Sequence, residues 1–429
     1  MSIEQNKLIM YRMISEIWNQ GHYEVADELF AAQHTSPSAP DLPPGPEGVK
    51  VLARMFHKAM PDYHMRIDMI VADKTQVAAR FIQSGTHTGA PLMGLEPSGR
   101  QAEWTEIGVL QIEDGQIVRS WYEVDMLGMI QQLNASPTTE DQKKILSHLA
   151  DELWDKGNYD VVDELFSPDL IDNNPLPGIT PGREGYRQAA ILMRTAFPDF
   201  KIEMLHQLAE GNLAVDHWQG TGTHLDDFLG IPGTGKQIRV DGLGLGRIDP
   251  TGRIVERWGQ MTAMELMQQI GVMPGADGQL PTVALPEVKG AYKPEAEEIN
   301  EIVHRYVNQM WNAGDLDAAG ELIHSQATTP YQPELPRGAE GAKAFISGFR
   351  SAFPDIGYEI EYRVTDGDLV AILARLSGTH EGEFLGVPAT GKAVSFEKFS
   401  LKKIVEGSIL VNWAIIDMLG LFQQLQPDG

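Results

Sequence analysis

Three positions in this chain share a setting suited to acid–base chemistry: Asp125, Thr262 and Asp417, each four residues after a tryptophan (Trp121, Trp258, Trp413). Strand alternation would put Trp121 with Asp125, and Trp413 with Asp417, on one side of a strand. A carboxylate beside an indole in an apolar cavity loses hydration, and its pKa rises towards the range of a general base. Such a group can take a proton from an activated carbon if a donor stabilises the enolate oxygen. The opposing reading is structural, because an Asp just before "MLG" can cap the short final helix. Thr262 fits a cap and cannot replace an acid.

A second acid stands in an apolar row. Asp216 shares a strand face with Trp218 where the corresponding stretch near residue 80 has Val77, Ala79 and Phe81, so it is either a pocket group or an exposed strand end. The "GTH" histidines His87, His224 and His380 each stand alone before a Gly-rich loop. No second ligand lies at metal spacing, so no metal site is expected. Each imidazole fixes its own loop or, for His87 and His380, contacts substrate. The glycines at 220–235 form turns, since no "GK[ST]" opens a helix there.

The elements that must position these groups occur three times. "IWNQG" (17–21) returns as "LWDKG" (153–157) and "MWNAG" (310–314), and "MPDY" (60–63) as "FPDF" (197–200) and "FPDI" (353–356). "SGTHTG" (84–89) returns as "TGTHLD" (221–226) and "SGTHEG" (377–382). A period this long is a whole domain rather than a solenoid unit. The expected division is 1–137, 138–274, a Pro- and Gly-rich linker at 275–294, and 295–429. Within the first unit, helices are expected over 8–18, 23–30 and 47–60, then strands over 63–73, 75–87, 100–114 and 116–125. Helices before a run of strands indicate an α+β domain.

The ordered set "WN.G", "FPD", "GTH.G.F.G.P.TGK" and "W...DMLGL..QL", fullest in "GTHEGEFLGVPATGK" (378–392) and "DMLGLFQQL" (417–425), resembles the SnoaL-like polyketide cyclases, or ester cyclases. That family lies in the superfamily of ketosteroid isomerase and nuclear transport factor two. The resemblance implies three tandem cone-shaped α+β barrels, each a curved antiparallel sheet wrapped around helices. It also implies a terminal-strand Asp as general acid/base in an intramolecular aldol closure, a role that falls to Asp125 and Asp417, with no metal or organic cofactor. Trp121 and Trp413 are expected mainly as packing that closes each barrel and, beside the acid, as candidates to contact substrate.

The family pattern has Arg where Arg80 and His217 stand, to bond a substrate carbonyl or to pair with an acid such as Glu106. It favours His or Asn ahead of the third helix, where Ser36, Asn174 and Thr329 are the nearest matches. No repeat carries the whole set. The third, with Ile415 in place of Glu123, is expected to be the driest and most enzyme-like. A cyclase-type lyase or isomerase acting on a hydrophobic oxo compound is the expected function. A noncatalytic binding or scaffold protein, and a hydrolase or dehydratase on the same barrel, are the alternatives.

Composition narrows the partners. With 34 basic and 60 acidic side chains the formal charge is -26, which repels phosphate backbones and anionic lipid. Nucleic acid and membrane are therefore not expected partners; a hydrophobic small molecule is. The start "MSIEQNKLIMYRMISEIWNQG" carries acids and an amphipathic pattern instead of a secretion signal, so a cytoplasmic protein is expected. Zero cysteines exclude disulfides and thiolate chemistry. Domains of this superfamily usually pair through the outer sheet face, and three in one chain leave one face over, so a homodimer is expected.

Overall fold

A computed structural model describes residues 2–273, 285–286 and 294–426. The linker expected over 275–294 thus lies almost wholly outside the described residues. The chain divides into two compact units, Met1–Ser136 and Pro137–Gly429. The first holds one repeat, the second holds two, and each repeat contains one five-stranded mixed sheet with its helices.

In the first repeat β1 (Phe30–Thr35), β2 (His64–Ala72), β3 (Gln76–Thr86), β4 (Gln101–Glu113) and β5 (Gln116–Val124) lie in the order β1-β5-β4-β3-β2. The second repeats this arrangement with β6 (Phe166–Asp172), β7 (Lys201–Glu210), β8 (Leu213–Thr223), β9 (Gln237–Ile248) and β10 (Ile254–Met261). The third does so with β11 (Ile323–Thr328), β12 (Gly357–Asp366), β13 (Leu369–Thr379), β14 (Ala393–Val405) and β15 (Ser408–Ile416). The α+β class is as expected, but the sheets are mixed rather than purely antiparallel. β1, β6 and β11 run parallel to the last strand of their repeat. Sequence patterning overlooked β1 because "FAAQHT" follows directly on the helix Val25–Leu29 and buries only part of itself.

The concave face of each sheet is filled by helices. The helix Pro46–Ala59 turns Val49, Ala53 and Phe56 inward. Pro46 opens it, its fixed φ suiting the first turn. Gly45 precedes it at φ 73°, where an added Cβ would meet the Ala32 carbonyl oxygen at 2.7 Å, so only glycine fits there. The first helix, Ile3–Arg12, continues into a π-helical turn, Met13–Trp18, that buries Trp18; Ala150–Asp155 and Tyr306–Asn312 are also π-helical. π-Turns of this kind often mark functional sites.

In the second unit the convex faces of the two sheets pack together. Leu208, Val215, Leu243, Leu245 and Trp258 of one meet Val364, Leu373, Phe399, Leu401, Trp413 and Ile415 of the other. β14 is accordingly buried on both faces along much of its length, although it carries Lys398, Ser400 and Lys402. Among the described residues no helix is long and apolar enough to cross a membrane.

Candidate functional site

The first barrel encloses a cavity of about 470 Å³. β3 turns Val77, Ala79, Phe81 and Gln83 into the barrel, and β4 turns Trp104, Glu106, Gly108 and Leu110 to the same side. Glu106 therefore stands in an apolar row at the cavity wall. Its Oε2 accepts a 2.6 Å hydrogen bond from Gln83 Nε2, and Gln83 Oε1 in turn accepts one of 2.6 Å from the Tyr63 hydroxyl. Burial pushes the Glu106 carboxyl up to about 7, against the Gln83 bond that favours the charged form. A carboxyl half-ionised near neutrality can both take and return a proton.

Polar groups on the same cavity can hold a developing oxyanion. Ser120 and Tyr122 point inward from β5, and His34 lies 2.9 Å from Ser120, Nε2 to Oγ. Burial lowers the His34 pKa, so the neutral ring is favoured. Burial, and next the charge of Glu106, raises that of Tyr122, so it remains a donor. Trp18, Phe30, Val49, Leu52 and Phe56 supply the apolar wall.

The residues singled out in sequence for this repeat stand elsewhere. Val124, Tyr122 and Ser120 face inward, so Trp121 and Glu123 lie on the outer face. Arg119 stacks on the Trp121 ring at 5.7 Å. Asp125 is exposed and caps the helix Met126–Leu133, accepting from Gly128 N at 2.9 Å. Arg80 is also on the outer face; it pairs with Asp68 and not with Glu106, from which the sheet separates it. His87 is buried and bonded through Nε2 to the Ala90 carbonyl at 3.0 Å, inside its own loop.

The third barrel differs at its centre. Lys398 holds the strand position of Glu106, opposite Ile416 as Glu106 is opposite Val124. Its Nζ is buried with no hydrogen-bond partner and lies 4.2 Å from the Trp311 ring centre, 5.2 Å from Phe345 and 5.3 Å from Tyr358. Two same-face positions along the strand, Lys402 bonds Asn412. Burial, and then the neighbouring Lys402, drive the Lys398 pKa far down; burial brings Lys402 to about 7. A small pocket of about 30 Å³ lies beside Tyr306, Phe345 and Asn412.

Asp417 caps the helix Met418–Leu425, accepting from Gly420 N at 2.9 Å. It also lines a cleft of about 600 Å³ at the mouth of this barrel, shared with Gln260, Thr262 and Glu265 of the second repeat. Trp413 is in the layer between the two sheets, 4.8 Å from His206 and 5.4 Å from His217. His380 is buried against Phe353 and accepts from Thr390 N at 3.3 Å, holding its loop. Ile415 packs in the layer between the two sheets and also borders this cleft.

In the second barrel Asp216 faces a cavity of about 170 Å³. Burial raises its carboxyl to about 6, opposed by the charge of Arg257. His217 points the other way, into the layer between sheets, where Nε2 lies 2.9 Å from the Tyr331 hydroxyl. Burial lowers its pKa to about 3. Asn174 reaches across to the third repeat, donating to Glu397 Oε2 at 2.7 Å beside Gln260 at 3.0 Å. Thr262 does not cap its helix; its hydroxyl accepts from Asp241 N at 3.1 Å.

Glu106, Gln83, His34 and Tyr122 were not among the residues picked from sequence as site groups. The usable signal was the one that found Asp216: an acid alternating with Trp104, Gly108 and Leu110 on a buried face. Pairing Glu106 with Arg80 masked it, because that pairing ignored which face each side chain takes.

The family model described as SnoaL-like polyketide cyclase matches residues 8–133, 144–270 and 301–425. Aklanonic acid methyl ester cyclase DnrD of Streptomyces peucetius is 35% identical over 131 residues, 29% of this chain and 88% of that protein. Aklanonic acid methyl ester cyclase DauD of Streptomyces sp. (strain C5) is 33% identical over 135 residues, 29% of this chain and 80% of that protein. Among solved structures, TsrD from Streptomyces laurentii aligns over 31% of this chain and 97% of its own at 22% identity, with a TM-score of 0.29. Three successive matches cover most of the chain, which therefore belongs to the SnoaL-like polyketide cyclase family as three tandem copies.

Proposed function

We propose that the first repeat is a cyclase-type enzyme for a hydrophobic oxo compound, and that Glu106 moves the proton. The observation that carries this is the Glu106 carboxyl on a cavity of about 470 Å³, oriented by Gln83 and poised near pH 7. The carboxylate takes the proton from carbon next to a carbonyl. The resulting enolate carbon attacks a second carbonyl of the same molecule, closing a carbon–carbon bond, and the new alkoxide regains the proton from Glu106. Tyr122, Ser120 and His34 are the donors available to the oxyanion. Asp125, committed to a helix cap at the surface, has no part in the step.

Aklanonic acid methyl ester, the compound in the relatives' names, is the first substrate to assay on the full chain. Glu106→Gln is expected to lower kcat by about 100-fold or more, the usual scale for a general base. Asp125→Asn should leave it within a few-fold. The reverse ranking would hand the role to the terminal-strand Asp.

A second reading has one observation in its favour: Asp417 lines the cleft of about 600 Å³ between the second and third repeats. The second unit would then be a binding module for an apolar molecule. For self-association, the outer face of the first repeat is the candidate surface. Met69, Val71 and Ile107 are 63%, 60% and 55% exposed there, on the face that the other two repeats use against each other.

A further inference from the structure

The second barrel carries a chemistry of its own. Along β9 the inward positions are Gly242, Gly244 and Gly246, where the first repeat has Glu106, Gly108 and Leu110 and the third has Lys398, Ser400 and Lys402. These glycines leave bare backbone for the side chains of β8. A Cβ at Gly242 would fall 2.1 Å from the Trp218 ring, and one at Gly244 would fall 2.3 Å from Asp216 Oδ1. Trp218 and Asp216 therefore lie flat across the neighbouring strand, an arrangement any larger residue would displace.

What this leaves is a cavity with one polar wall. Tyr186, Met193, Phe200 and Trp218 line it with apolar surface, and Asp172, Asp216 and Arg257 provide the charge. Arg257 is already committed: it bonds Asp172 Oδ1 at 2.6 Å and stacks on the Tyr186 ring at 4.6 Å. Asp216 Oδ1 is not: it is buried and no donor reaches it in good hydrogen-bond geometry, although the backbone N–H groups of Gly244 and Asp216 lie close enough to the carboxyl to favour its charged form. A buried carboxylate oxygen without a partner is costly, and such a group calls for an explanation. A ligand that donates to it is the simplest one.

We propose that the second barrel is a separate binding site for a small, single-ring alcohol or phenol, whose hydroxyl donates to Asp216 Oδ1 while its ring lies against Trp218. The space of about 170 Å³ suits one ring, since a cavity of about 150 Å³ suffices for benzene. It is too small for the multi-ring compounds that the first barrel could take. The two sites therefore differ in both ligand size and recognition, and this site stands whether or not Glu106 is a catalyst.

Benzyl alcohol and toluene are the probes, titrated against the full chain and soaked separately into its crystals. The expected result is benzyl alcohol in the second barrel, its hydroxyl within hydrogen-bond distance of Asp216 Oδ1, bound about tenfold tighter than toluene, the scale of a bond to a charged acceptor. Asp216→Leu should abolish that preference. Equal affinity for the two probes, water alone in the cavity, or benzyl alcohol found only in the first barrel would overturn the proposal. If Asp216→Leu fails to fold, the comparison of alcohol with toluene on the unsubstituted chain still decides it.

Discussion

Glu106 and Lys398 occupy the same place on the same strand of two barrels and carry opposite chemistry. Each projects inward from the fourth strand of its sheet, opposite Val124 and Ile416 respectively. One faces a cavity and is held by an amide; the other is buried against aromatic faces with no hydrogen-bond partner. The middle repeat has Gly242 there and moves its acid to Asp216 on the preceding strand. Three copies of one fold thus have three different interiors.

Lys398 is buried in the third barrel with no hydrogen-bond partner, and only the aromatic rings beside it offset the cost. Replacing a buried ionisable group by an apolar side chain of similar length is often stabilising. Lys398→Met is therefore expected to raise the stability of the second unit by about 2 kcal/mol, measured by urea denaturation at pH 7. A loss of stability would mean that the amine has a bonding role.

Glu106 and Lys402 should tilt stability with pH in opposite directions. The Glu106 carboxyl is raised by burial from 4.5 to about 7, so its penalty is absent below about 4.5, grows between the two values and is complete above about 7. Lys402 is lowered by burial from 10.5 to about 7. Its penalty is complete below about 7 and gone above about 10.5. Relative to the native chain, Glu106→Gln should gain up to about 1.4 kcal/mol per pH unit from 4.5 to 7, and Lys402→Met should lose its advantage at that rate from 7 to 10.5. Unfolding curves across pH 4 to 11 check both slopes.

The caps predict a stability effect without a catalytic one. Asp125→Ala and Asp417→Ala each remove a bond to a helix N-terminal amide and should cost about 1 kcal/mol. Thr262→Ala removes a bond to β9 instead. Thermal melts of the three variants test whether the first two behave alike.

Glu397 ties the two repeats of the second unit together by accepting from Asn174 and Gln260. Glu397→Leu leaves both amides without that acceptor and should destabilise the second unit by about 2 kcal/mol. The transition of the first unit should not move. Calorimetry that resolves the two transitions gives the answer.

On the outer face of the first repeat, Ile107→Asp places a charge on an exposed apolar strand. If copies of the chain pair through that face, light scattering should show a dimer for the native chain and a monomer for the variant. A native monomer would end the self-association reading.

By itself the sequence determined the threefold repeat, the α+β class and the family, because ordered motifs and turn residues act locally and recur in register. It also showed that the middle copy lacks the terminal-strand acid, at Thr262, and that Asp216 stands in an apolar row. Which face each side chain took was decided only in the tertiary structure. The parallel pairing of β1 with β5 and the packing of two convex faces determine what is inside, and neither is local. Hence Trp121 lies outside its barrel, Trp413 lies between two sheets, and Asp125 caps a helix while Glu106 faces the cavity. A strand's alternation says which residues go together; only its neighbours say where they go.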